Sequence, residues 1–483
     1  MCKMKNSNDD IKKLLTASLD EQRAKTLFAM GEEAVVFALL TLTAELAKAK
    51  GEQAQGQPSP STPSGNVPVH LKENNKGKRL KKPGREAGHK GARRVSPEPD
   101  KTVTLSLECC PDCGGPVSEC REKSTRRKRV VEDIPEGIAV ETTQYDIPTY
   151  WCPHCKNTVS PKVIDALPQC AIGNRLAVMT AWLHYAMGNS ISQIIDIFNV
   201  HLKVKLTPGG LTQIRHRLAV TLSPWYDEIR EKCLASGVLH GDESGWRVNG
   251  ETHWLWCFST QTETYYMIDR SRGQPALQEF FNEFYDGVLV SDFWKPYDHV
   301  ASAGTQKCLV HLLREFRHVE KYKDVSRDWP DFRKRTKRLV RDAISLWSNH
   351  ATHYTDEVYA RRCARIEKRL DTILSESFEN PEAVRIAKRL RKYRDALFTF
   401  LYHPAVPFDN NHAERPIRPA VLMRRISHGN QSTTGATTQF ILMSVFRTLR
   451  LRSLPPTATL CAALREFVLT GKLPTMERVG SNG

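Results

Sequence analysis

The chain has 483 residues, 40% of them hydrophobic and 26% charged, and its 71 Lys+Arg against 54 Asp+Glu leave a net charge of +17. That length suits about three domains and a sizeable core. The charge favours a polyanionic partner such as nucleic acid and leaves the fold open. No apolar run reaches the ~18 residues of a membrane span: residues 34–43 come nearest and are flanked by Glu32, Glu33 and Glu45. The first residues carry Asp9 and Asp10 and no apolar centre of a signal peptide. A cytoplasmic protein is therefore expected. Its 13 cysteines would be reduced there, and clustered ones would point to metal rather than disulfides.

Residues 1–50 read as a zipper-like helical segment. Val35, Leu39, Leu42, Leu46 and Ala49 step by four, three, four and three, an a/d seam that serves either self-association or packing on the chain itself. Residues 51–105 read as a linker and basic arm. Pro58, Pro60, Pro63 and Pro68 stand among Gly, Ser and Gln, with little to bury. Residues 72–94 then hold ten Lys/Arg against two Glu, a local charge of +8. Gly and Pro beside cations suit an arm that follows a phosphate backbone.

Residues 106–169 are expected to form a zinc ribbon. Cys110 and Cys113 make one C-x-x-C pair, Cys152 and Cys155 another. Each pair supplies two sulfurs from one backbone turn, and two pairs complete a tetrahedral zinc shell. Val130, Val131, Thr149 and Tyr150 are candidate strand residues, and Cys109 and Cys120 are alternative ligands. Residues 121–129, six Lys/Arg against one Glu, lie between the pairs.

Residues 170–232 read as an all-helical DNA-binding domain, with helices over 175–187, 192–198 and 211–222. Gly188-Asn189 and Pro208-Gly209-Gly210 break them. The last two could be a helix-turn-helix that reads DNA through Gln213, Arg215, His216 and Arg217, or could simply pack.

Residues 233–450 change character. Strands are expected over 237–240, over 254–258, where Trp254, Trp256 and Phe258 alternate with Leu255 and Cys257, and over 264–268. A helix over 274–285 and a buried strand over 287–291 follow. Three strands, a helix and a fourth strand open a ribonuclease-H-like α/β fold, with a basic helical insertion at about 320–400 and a C-terminal segment at 451–483. Asp242 follows the first strand and Asp292 the fourth, strands that lie side by side in that order. Two carboxylates at their ends would share Mg2+ (or Mn2+), as phosphoryl transfer requires. Glu414 is the candidate third acid, in a helix that Asp409 or Asn410 can cap. Glu243 should point to the opposite face of its strand.

Asp242-Glu243-Ser244, the Asp292-x-x-x-x-Tyr297 set and Asn410-Asn411-His412-Ala413-Glu414-Arg415 resemble DDE transposases of the insertion-sequence-66 family. The zipper-like helix, the basic arm with Gly88-His89-Lys90-Gly91, the CPxC pair and the helical insertion share in the likeness. It departs at Ser244, where Thr is usual, and at 423–429, which lacks a Lys-Asn-Trp. The resemblance implies a catalytic triad of Asp242, Asp292 and Glu414. It also implies double-stranded DNA as partner, both element ends and target, in a nucleoid-associated homo-oligomer of at least two protomers, with accessory proteins possible. Two other readings fit the residues: a zinc-ribbon DNA-binding regulator with an inert α/β domain, and a ribonuclease-H-like nuclease without strand transfer.

Overall fold

The structure is a computed structural model that describes residues 21–32, 35, 36, 38, 140–147, 150–152, 157–159 and 161–480. The basic arm, the run at 121–129, Cys110, Cys113 and Cys155 lie outside the described residues, as does the zipper seam beyond Val35. Helix α1 spans Glu21–Ala29. A small hairpin follows, β1 (Tyr150–Cys152) antiparallel to β2 (Asn157–Val159), with Cys152 opposite Asn157. The second cysteine pair therefore begins where β1 ends.

Helices α2 (Asn174–Tyr185), α3 (Ile191–His201) and α4 (Pro208–Leu234) come next. Ser190 and Gln193 close a capping box on α3, and the Thr207 side chain accepts from the Gly210 N–H at the start of α4. Helix α4 runs well past the expected 222. Its buried stripe continues through Trp225, Tyr226, Ile229 and Cys233. Pro224 lies within it, and the Ser223 hydroxyl donates to the carbonyl of Val220, the group that a proline N–H cannot serve.

The central sheet has five strands: β3 (Val238–Val248), β4 (Glu251–Ser259), β5 (Thr264–Asp269), β6 (Tyr285–Ser291) and β7 (Ser302–Lys307). They lie in the order β5-β4-β3-β6-β7. The first three form an antiparallel meander, and β6 and β7 run parallel to β3 and to each other. Helix α5 (Gln274–Phe280) makes the crossover and ends five residues before the expected limit. Two further differences from expectation bear on the site. Strand β3 does not stop at residue 240: it pairs with β4 from His240 opposite Ser259 to Val248 opposite Glu251. Asn249 and Gly250, both at positive φ, make the tight turn between them. Asp242 thus lies within β3 rather than after it. Strand β7 was not anticipated, because Ser-Ala-Gly-Thr-Gln-Lys carries no apolar run.

Beyond β7, α6 (Leu309–Tyr322), α7 (Trp329–Ser348), α8 (Asp356–Ser375) and α9 (Pro381–Lys392) form the helical insertion. They share a core with Val288 and Val290 of β6. The insertion leaves and returns at one place, where the Leu309 N–H donates to the Phe408 carbonyl at 2.9 Å. Helices α10 (Asn411–Ser427), α11 (Thr433–Leu451), α12 (Pro456–Thr470) and α13 (Met476–Gly480) complete the chain.

A boundary was expected at 232/233, but the core crosses it. Val178, Leu218 and Trp225 pack in one cluster with Leu255 and Trp256 of the sheet, Leu442 of α11 and Leu464 of α12. Three of the four proposed base-reading side chains are spent inside this unit, while Gln213 is exposed. Arg215 is buried over the Tyr185 ring, the His216 ring meets the Thr438 hydroxyl at 2.6 Å, and Arg217 donates to the carbonyls of Pro168 and Gln169. For these three side chains, packing is the structural outcome.

His184 offers a test of this packing. Burial, then the nearby Arg215, pushes its imidazole from the ordinary 6.5 down to about 4. Its Nδ1 lies 2.7 Å from the Asn189 carbonyl, an acceptor, so that nitrogen carries the proton of a neutral ring. The unfolded chain takes up a second proton first as pH falls, so this contribution is full above pH 6.5 and is lost toward pH 4. Between pH 7 and 5 the natural protein should lose roughly 2 kcal/mol more stability than His184→Gln. Denaturant unfolding of both proteins at the two pH values measures the difference, and parallel losses would refute it.

Candidate active site

Strand β3 presents alternate residues to opposite sides. His240, Asp242 and Ser244 face α10: the His240 ring meets Asn410, and Ser244 accepts from Arg424 at 3.2 Å. Gly241 and Glu243 face Tyr297. A Cβ on Gly241 would lie 2.9 Å from the tyrosine ring, and the Tyr297 hydroxyl donates to Glu243 at 2.9 Å. Glu243 also accepts from the Arg272 Nε and Nη2 at 3.2 and 3.1 Å. The Arg272 guanidinium lies between two indoles, 4.4 Å from the Trp254 centroid and 4.0 Å from that of Trp294. The expected alternation is what the strand shows, and it separates Glu243 from Asp242 by the pleat.

Asp292 follows the last residue of β6. Its Oδ1 accepts from the Trp294 N–H at 2.8 Å, which holds the turn beyond the strand. Beneath it Lys307, buried at the end of β7, donates to the Ser291 hydroxyl at 3.1 Å and pairs with Asp298 at 3.4 Å. Glu414 sits in the first turn of α10. Arg314 Nη2 pairs with it at 3.1 Å, and the His311 Nε2 lies 3.8 Å away.

What aligns α10 with β3 is Asn410. It occupies the cap position without capping the helix. Instead its amide donates to the Gly241 carbonyl at 2.8 Å, and its Oδ1 meets the His240 Nδ1 at 3.1 Å. Asp409 makes the local turn by accepting from the Asn411 N–H. The far end of α10 is pinned as well. Arg424 donates to Ser244 and to the Gly245 carbonyl, and Asn430 exchanges backbone bonds with Arg247 and Asn249. Gly429 permits that close approach: its φ is +115°, and a Cβ there would lie 2.2 Å from the Arg247 carbonyl oxygen.

The electrostatics show what this brings together. The Asp242 carboxyl is pushed well above the usual carboxylate range, first by burial and then by the negative charges of Glu243, Asp292 and Glu414. Glu243 is raised to about 7 by burial and by Asp292, against the opposing pull of Arg272 and Tyr297. Residues far apart in sequence thus meet in one field of negative charge.

The chain matches the family model described as Transposase IS66 family over residues 169–438. The protein belongs to the IS66 transposase family. No curated protein matches it. The matched span runs from just before α2 into α11, so it takes in Asp242, Asp292, Glu414 and the whole helical insertion.

Several side chains at the transposase's acidic cluster escaped the sequence reading. Arg272, His311, Arg314, Lys307 and Asn410's contacts with β3 are tertiary, and no local pattern marks them. The Asn249-Gly250 dipeptide was a usable signal, because it announces a two-residue hairpin and hence a β3 long enough to contain Asp242. The insertion reaches the same region through Arg389, which bonds Glu315 and lies 4.4 Å over the Phe293 ring, next to Asp292.

Proposed function

We propose that this family member is a Mg2+-dependent (or Mn2+-dependent) DNA transposase that cleaves element ends and joins them to target DNA. Its reacting centre is the triad Asp242, Asp292 and Glu414. The observation that carries this reading is that the charges of Asp292 and Glu414, beside that of Glu243, all act to raise the Asp242 carboxyl, the triad being supplied by two adjacent parallel strands and one helix N-terminus. The donor set fits a hard cation: the ligands are partly buried carboxylate oxygens, whose repulsion a divalent ion would relieve. Such an ion supplies an activated oxygen nucleophile and a stabilised leaving group. Asp242 and Asp292 would hold it from neighbouring strands, and Glu414 would complete its shell from α10. Arg314 pairs with Glu414 meanwhile, and Arg272 and Tyr297 keep Glu243 directed to the other side of the strand.

The β3-β6 adjacency and the antiparallel meander support a ribonuclease-H-like catalytic domain with a helical insertion. The basic segments at 72–94 and 121–129 would hold DNA mainly through phosphate, and two element ends call for at least a dimer. Accessory proteins and nucleoid association fit the same reading. Among the described residues, no helix is long and apolar enough to cross a membrane.

The test is a duplex carrying the element's end, incubated with target DNA and Mg2+. Cleaved and joined products are expected. Cleavage without joining would favour the nuclease reading, and binding without cleavage the inert regulator; either would overturn the proposal.

The four cysteines belong to the same proposal as a structural zinc site. Freshly purified protein should contain about one zinc per chain bound by Cys110, Cys113, Cys152 and Cys155. Cys113→Ser should lose that zinc and weaken DNA binding without lowering the unfolding transition of the α/β core. Metal analysis of both proteins checks this, and equal zinc contents would contradict it.

A further inference from the structure

We propose that Cys308, His311 and Glu414 form a second metal site, selective for a borderline-soft divalent cation such as Zn2+, whose occupation withdraws Glu414 from the acidic cluster. The sulfur, an imidazole nitrogen and a carboxylate oxygen all lie within 4.8 Å of one another. Cys308 stands at the start of α6 and His311 one turn on, a spacing that puts both on one face of the helix. Glu414 enters from the first turn of α10. The Cys308 side chain is buried, while His311 and Glu414 are partly open, so a cation would enter past the imidazole and the carboxylate. The His311 Nδ1 is buried and without a hydrogen-bond partner among the described residues, while its Nε2 lies 3.4 Å from the Arg314 Nη1.

The donor types decide which cation fits. Thiolate and imidazole select zinc-like ions, whereas Mg2+ keeps to oxygen and water. Three protein ligands with a fourth position left to water is a stable zinc arrangement. Binding replaces the thiol proton, which passes to solvent. It also requires Glu414 to turn from Arg314, now 3.1 Å away, toward the cation. Glu414 cannot serve this cation and the acid cluster equally well, so the site makes zinc an antagonist of Mg2+-dependent cleavage. That regulatory half rests on the function proposed above; the binding half does not.

The experiment is equilibrium dialysis of the full chain, stripped of metal, against Zn2+ and in parallel against Co2+, followed by cleavage assays at fixed Mg2+ with and without Zn2+. The unaltered protein should bind one equivalent more than Cys308→Ser or His311→Gln. With Co2+ that equivalent should add a thiolate charge-transfer band that Cys308→Ser lacks. Metal on the paired cysteines is common to all variants and cancels in the comparison. Loss of one direct ligand should weaken the extra equivalent by at least the ~10–100-fold that outer-shell substitutions cost. Asp242→Asn should keep it, because that acid belongs to the other centre. Zinc should suppress cleavage by the unaltered protein by a larger factor than it suppresses Cys308→Ser. Equal metal equivalents in the unaltered protein and both ligand variants, each folded by circular dichroism, would overturn the site. So would loss of the equivalent in Asp242→Asn. If no protein cleaves DNA, the function proposed above fails while dialysis still decides the site.

Discussion

Asp292→Asn should abolish Mg2+-dependent strand cleavage while leaving DNA binding intact or tighter. The substitution is nearly isosteric, and the amide oxygen can still accept from the Trp294 N–H that holds the turn. What disappears is one negative charge from the cluster that raises Asp242. A cation held by carboxylates loses a ligand there, and a DNA phosphate meets less repulsion. The cleavage rate should fall by more than about 10³-fold, the size reached when a single electrostatic contact to a transition state is removed. Asp242 should also titrate closer to the ordinary carboxylate range, since one of the charges that raises it is gone. Single-turnover cleavage beside a binding titration at the same salt concentration separates the two effects. Cleavage at the unaltered rate would remove Asp292 from the reacting centre.

The second large effect is expected at Asn410. This side chain is buried and reaches two groups of β3, the His240 ring and the Gly241 carbonyl, which belongs to the peptide that leads into Asp242. Burial, then the neighbouring His412, pushes His240 down to about 3. The ring is therefore neutral, and the Asn410 oxygen accepts its Nδ1 proton. Asn410→Ala leaves a buried acceptor and a buried donor unpaired, at about 1–3 kcal/mol each. A loss of about 2–6 kcal/mol is therefore expected, a large share of the 5–15 kcal/mol of a typical domain. Cleavage should fall further than stability alone explains, because Glu414 begins the helix that Asn410 docks. Leu422→Ala, at an exposed position of the same helix, should stay within about ±0.5 kcal/mol. Denaturant unfolding and cleavage rates below the transition measure both. An Asn410→Ala protein as stable and active as the unaltered one would show that the two bonds do not position the helix.

Much of this arrangement was legible before any coordinates. The apolar runs at 254–258 and 287–291 announce buried strands because two-sided burial needs continuous apolar residues. The two acids beside such runs, the Asn410-to-Arg415 motif and the cysteine pairs stand out for the complementary reason: packing gives no account of them. A long helical stretch was visible at about 320–400, and helices α6 to α9 run from Leu309 to Lys392.

Tertiary structure decided the rest. Polar residues carry no periodic signal of their own, so β3 could not be followed through His240, Asp242 and Ser244, nor β7 through Ser302–Lys307. Partners distant in sequence, from 30 to 222 residues away, gave these positions their meaning. Arg215 and His216 looked free to read DNA until Tyr185 and Thr438 were seen to occupy them. A core boundary at 232 looked natural because composition changes there, yet α4 buries its stripe against the same core as the sheet. The sequence by itself marked the candidate acids and cysteines and the strongly periodic helices and strands, since residue type and local periodicity are what it records. Which acids share a field, which cations hold them and which face of each element is spent on packing were decided only in three dimensions, because those properties depend on distances between residues that no local pattern records.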